Sequence, residues 1–129
     1  MTSTHHNPTT ATPVAGGYSQ GLEVRTPGRL LHISGQIPED RSGNVPTSFD
    51  DQCRQVWRNV EAVIASADMT LDDLVKVTTF LSGGRYREAN ARIRQQVLGD
   101  AVPALTVIVV GIYDEQWLLE IEAIAYQHD

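Results

Sequence analysis

From Ser48 onward the apolar residues Cys53, Val56, Trp57, Val60, Ile64 and Ala67 recur at the spacing that puts them on one face of a helix. Ser48 with Asp51 resembles a capping box that opens this helix, and Asp68-Met69 marks its end. A second capping-box-like pair, Thr70 and Asp73, precedes the β-branched and aromatic run 74–81, which predicts a strand. Ser82-Gly83-Gly84 breaks the chain, and Tyr86, Ala89, Asn90, Ile93 and Val97 then form a shorter helical stripe. Before the first helix, 18–24 and 29–36 read as extended segments joined at Thr26-Pro27-Gly28 in a hairpin. After the second helix, 105–112 and 118–127 read as strands joined by a turn around Asp114-Glu115.

The order ββαβαββ carries no internal repeat or linker, so it predicts one α+β domain over 18–129 with two helices packed on one face of a mixed sheet. Residues 1–17 are mostly Thr, Pro, Gly and His, and are expected to form a flexible arm. The His5-His6 pair in that arm lacks the further ligands of a closed metal site, so no metal is expected there.

Side chains alternate across a strand. Leu119, Ile121, Ala123 and Ala125 therefore share one face, suited to the helices, while Leu118, Glu120, Glu122, Ile124 and Tyr126 share the other. On the preceding strand both faces are apolar: Leu105, Val107 and Val109 on one, Ile108 and Val110 on the other. Two helices cover only one side of a sheet. The second apolar side predicts symmetric self-association.

Composition changes this picture little: 129 residues with 41% apolar and 20% charged positions make an ordinary single globular domain. The net charge of −6 opposes nucleic-acid binding. The single cysteine excludes an intrachain disulfide. With no signal-peptide pattern and no apolar run of membrane-spanning length, a cytoplasmic protein is expected, partnered by small molecules and by its own copies rather than by nucleic acid or membrane.

Six segments, Ser34-Gly35-Gln36-Ile37-Pro38, 52–59, 75–81, Asn90, Pro103-Ala104 and 120–125, stand in the order and spacing of the Rid (YjgF-like) family, and Gly17-Tyr18-Ser19-Gln20-Gly21 resembles that family's N-terminal motif. The resemblance implies a chorismate-mutase-like fold, a homotrimer with sheets inside and helices outside, and clefts between neighbours. It further implies hydrolysis of reactive enamines and imines to a ketone and ammonia, without a cofactor. In the best-known members an arginine directly after the Pro-Ala pair grips the substrate carboxylate, and the first glutamate of Glu-Ile-Glu positions water and handles protons.

Here Glu120 stands at the glutamate position and is the expected catalytic residue, while Tyr18, Ser34, Leu105 and Val107 stand at positions expected to bind substrate. Leu105 occupies the place of the arginine. It carries no charge and offers no fork of donors for a carboxylate, so the chain resembles a divergent member. The expected activity is that of a hydrolase, deaminase or lyase acting on an enamine, imine or related conjugated electrophile other than a standard 2-imino acid. The alternative is a trimer that binds a small metabolite without catalysis. Val107 replaces a cysteine common in relatives, Cys53 and Asn90 read as core and bracing residues, and the roles of His32 and Trp117 stay open.

Overall fold

The computed structural model describes residues 3–7, 9, 17–19 and 21–129. In chain order its elements are β1 (Ser3–His6), β2 (Gly21–Val24), β3 (Gly28–Gln36), α1 (Phe49–Ser66), β4 (Leu74–Leu81), α2 (Arg87–Leu98), β5 (Ala104–Val109) and β6 (Leu119–His128). Ser48 caps α1 as expected: its Oγ accepts the N–H of Asp51 at 3.2 Å, satisfying one of the donors that a helix start leaves unpaired. Past Asp68, which takes a left-handed φ of 56°, the N–H of Thr70 donates to the Asp73 carboxylate at 2.8 Å. That contact closes a short 3-10 turn, Leu71–Asp73, directly into β4.

Four strands form the main sheet in the order β3-β6-β4-β5, with β4 and β5 parallel and the other neighbours antiparallel. The mixed α+β architecture is the one that the hydrophobic pattern requires. Leu119, Ile121, Ala123 and Ala125 of β6 are all buried, as are Val77, Thr79 and Leu81 of β4, and the α1 stripe of Cys53, Val56, Trp57, Val60 and Ile64 closes over them. No helix among the described residues is long and apolar enough to cross a membrane.

Two expectations need correction. The segments on either side of Thr26-Pro27-Gly28 do not pair as a hairpin: β2 pairs with β1, whereas β3 pairs with β6. A Pro-Gly turn specifies a change of direction but not the partner strand, and β6 offers β3 a long apolar ladder. Gly28 begins β3 where Tyr126 of β6 folds over the turn and donates its O–H to the carbonyl of Pro27 at 2.9 Å. A Cβ on Gly28 would stand 2.2 Å from that hydroxyl. The second correction concerns residues 1–17. Ser3–His6 form a strand, with His5 opposite Leu22 and His6 opposite Gly21, and His5 Nδ1 lies 2.6 Å from Ser19 Oγ. Of the remainder of that stretch, residues 1, 2, 8 and 10–16 lie outside the described residues.

Candidate functional site

The strand edge at β5 is where the fold leaves space. The helix α1 packs across β3 and β6, and α2 packs on α1, so α2 stands off the inner face of β5 and leaves a gap between them. Leu105 there is half-buried, while Val107 and Val109 are 38% and 59% exposed. They form one wall of a cavity of about 500 Å³ whose other wall is α2, presenting Asn90 and Arg94, and which Tyr18 also lines. Tyr18 is held there by its neighbour. The Ser19 N–H donates to the carbonyl of Pro103 at 2.9 Å and its hydroxyl to that of Val102 at 2.5 Å, which fastens this segment beside the start of β5.

The structure thus brings together three of the predicted site residues, Tyr18, Leu105 and Val107, and sets them against α2, where Asn90 and Arg94 are the buried polar residues. Asn90 is 2% exposed, yet its Oδ1 has no hydrogen-bond partner, which does not fit the expected bracing role. Arg94 is 7% exposed, its Nε is also without a partner, and it takes part in none of the ion pairs among the described residues. Leaving such a group buried and unpaired costs about 1–3 kcal/mol. Burial lowers the pKa of Arg94 from the ordinary arginine value, but a guanidinium stays charged at neutral pH. Sequence reasoning missed Arg94. The available signal was a cation one helical turn beyond Asn90, on the stripe that faces the protein.

The other two predicted residues lie elsewhere. In the sheet register Phe80 stands opposite both Glu120 and Ile108, so these three share the face away from the helices, whereas Leu105 and Val107 face the helix side opposite Val77 and Thr79. A single protomer therefore does not bring Glu120 to Tyr18, Leu105 and Val107. Glu120 is half-buried with its carboxylate laid against Gly35: a Cβ on Gly35 would be 1.8 Å from Oε2 and 2.8 Å from Cδ. Gly35→Ala should leave the fold intact and push the carboxylate aside. Thermal melting should change little, and any turnover that depends on Glu120 should fall by about tenfold or more, as expected when a reacting group is misplaced by about 1 Å.

Ser34 is exposed and shares a hollow of about 230 Å³ with His32, Lys76, Thr78 and Glu122 on that same outer face. Lys76 Nζ, at its border, donates to Thr106 Oγ1 on neighbouring β5 at 2.6 Å. Trp117 tilts against the exposed ring of Tyr113, with centroids 6.4 Å apart. Cys53 is fully buried, and burial, with Asp50 adding, pushes its thiol up to about 12, so it is a packing residue rather than a nucleophile. Among the described residues no group of His, Cys, Asp and Glu side chains is placed to hold a metal ion.

Residues 9–127 match the family described as endoribonuclease L-PSP. The chain belongs to this family, the Rid family. A RutC family protein of Pyrococcus horikoshii is 35% identical over 87% of this chain and 88% of its own. TdcF of Escherichia coli, named provisionally as a reactive intermediate deaminase, is 29% identical over 85% of this chain and 86% of its own. Among solved structures, YyfB of Yersinia pestis, described as a Rid family protein of unknown function, superimposes with a TM-score of 0.87 at 29% identity, covering 98% of this chain and all of that one. A crystal structure of Escherichia coli TdcF with bound serine gives a TM-score of 0.73 at 28% identity, over 88% of this chain and 91% of that one. The Rid fold seen here is thus shared along nearly the whole chain.

Proposed function

We propose that this Rid family member is a cofactor-free hydrolase or lyase of a small enamine, imine or related conjugated electrophile, working in the cytoplasm as a homotrimer with a cleft between each pair of neighbours. One observation carries the reading. The β5 cavity is lined by an aromatic ring, the amides of Asn90 and Gln95 and the guanidinium side chains of Arg87 and Arg94 but no carboxylate, while Glu120 lies on the opposite face of the sheet. Between them the outer face of β5 is bare, with Ile108 and Val110 42% and 43% exposed. Covering that face with a second copy buries the apolar strand and brings Glu120 of the partner subunit toward the cavity rim. The relative named as a reactive intermediate deaminase supports this chemistry.

In such a cleft the carboxylate of Glu120 accepts a hydrogen bond from water and aims its oxygen at the imine carbon. Water adds, a proton passes to the nitrogen, and the C–N bond breaks to release ammonia and leave a carbonyl compound. The overall change, imine plus water to carbonyl plus ammonia, moves no electrons to or from an external acceptor. Leu105 removes the usual grip on a carboxylate at the start of β5, so the preferred substrate does not place its anionic group there.

Sedimentation at micromolar concentration should give a trimer, and a species at the 14.2 kDa chain mass would overturn the shared cleft. Ammonia release should be measured from freshly generated 2-iminobutyrate beside an imine without a carboxylate. Release from 2-iminobutyrate should run about 10²-fold below that of relatives bearing the arginine, the loss expected for one charge-assisted contact. Absence of turnover with every imine, alongside saturable binding, would instead make the cleft a metabolite-binding site.

A further inference from the structure

We infer that Arg94 and Asn90 of α2 form an anion-recognition site in the β5 cavity, specific for a small carboxylate that also carries an N–H or O–H donor. The inference rests on the proposed cleft and names the class of molecule that enters it.

Two unpaired groups of opposite character lie one helical turn apart on α2. Arg94 is more than nine-tenths buried and carries a donor, Nε–H, with no partner, and Asn90 Oδ1 is an acceptor with no partner. Residues four apart on a helix stand side by side, so both belong to one patch of the cavity wall. A buried guanidinium Nε–H without a partner is costly to keep, and no carboxylate among the cavity-lining residues pairs with it. The ligand that satisfies both is an anion with two oxygens for the Arg94 fork and a nearby hydrogen for Asn90 Oδ1. An amino, imino or hydroxy acid has that pattern. The opposite wall, Leu105, Val107 and Val109, is apolar and suits a short alkyl chain.

This site lies across the cavity from the family's strand arginine. Leu105 then marks a change in where the anionic group is held, from β5 to α2, and not a change to an uncharged substrate. The carboxylate enters from the helix side, and the reacting carbon is presented to Glu120 of the partner subunit along a different line, so a standard 2-imino acid is bound but still turned over slowly.

The test measures binding and needs no turnover, so it stands or falls separately from catalysis by Glu120. The full chain is titrated with 2-hydroxybutyrate and with its neutral counterpart 2-hydroxybutanamide, by calorimetry and by NMR of the arginine Nε–H signals. The acid should bind saturably, the amide about tenfold or more weaker, and the Arg94 Nε–H signal should shift with the acid. Arg94→Gln should weaken the acid by about tenfold or more and leave the amide unchanged. Its thermal midpoint without ligand should stay level or rise, because an unpaired buried charge has been removed, whereas a purely structural arginine would lower it. Equal affinity of Arg94→Gln and the parent chain for the acid would overturn the inference. So would failure of the acid to bind at tens of millimolar, or a clear fall in the unliganded midpoint. Should Arg94→Gln not fold, the Nε–H signal of the parent chain decides: a bound acid that leaves it unmoved refutes the site.

Discussion

Glu120→Gln keeps the assembled protein and loses most of its turnover, a fall of about 10²- to 10⁴-fold in kcat, the range expected when a general acid/base is removed. The amide matches the carboxylate in shape, so the close approach to Gly35 survives and the sheet is undisturbed. It exchanges no proton. Asn90→Ala acts from the other wall, removing an acceptor that faces the cavity and enlarging a site whose fold rests on other residues. If each cleft draws Glu120 from one subunit and Asn90 from its neighbour, the two weak variants rescue each other. Random mixing after unfolding and refolding should give about a quarter of clefts with both native residues, and activity should recover to about that fraction of the parent chain. The measurement is ammonia release from the mixture beside each variant alone. No recovery in mixed trimers would place both residues in the same subunit's site. Unchanged turnover in Glu120→Gln would remove its catalytic assignment.

Trp57→Ala should cost about 3–5 kcal/mol, a large share of the roughly 5–15 kcal/mol that holds a typical domain folded. Trp57 is 1% exposed and sits at the middle of the α1 stripe, in one cluster with Ile121, Ala123 and Val77 of the sheet. Removing the indole opens a void that close-packed neighbours fill only in part. Its Nε1 has no hydrogen-bond partner, so the loss is of packing and apolar burial, with no hydrogen bond to forfeit. Trp57→Phe tests that statement: it keeps most of the ring's contacts, removes the unpaired N–H, and should cost less than about 1.5 kcal/mol. Guanidinium unfolding at one fixed protein concentration, with the slope compared between variants, measures both. A Phe variant as damaged as the Ala variant would mean that the indole nitrogen matters in a way that its surroundings do not show.

The helix α1 and the inner face of β6 were legible from spacing alone because burial acts residue by residue. A stripe at helical spacing or an alternation along a strand must face a core whatever its neighbours are, and Val56, Trp57, Val60, Leu119 and Ile121 are all buried as read. The two-sided apolar character of β5 was legible for the same reason, and the exposed Val107, Ile108 and Val109, with Val110 just beyond the strand, are that pattern in three dimensions. Strand pairing was not legible. Thr26-Pro27-Gly28 announces a turn, but whether β2 continues to β3 or to β1 depends on which backbone edges meet, and local residues carry no record of that.

The candidate site divides along the same line. Tyr18, Ser34, Leu105, Val107 and Glu120 came from a pattern of residue types in a known order, which names positions without placing them. Their sheet face follows from register, a non-local property, and it is register that sets Glu120 beside Phe80 and away from Leu105. Arg94 was invisible to that pattern because a lone arginine on a helix is ordinarily a solvated surface residue. By itself the sequence determined the helices, the buried faces and the two apolar faces of 105–110, since each depends on residue type at short range, and the family resemblance added that Leu105 stands where an arginine is expected. Only the tertiary structure decided which strands pair, that the carboxylate and the cavity lie on opposite faces of one sheet, and that the packing of α2 leaves the buried Nε of Arg94 without a partner, because these depend on which distant segments the fold brings into contact.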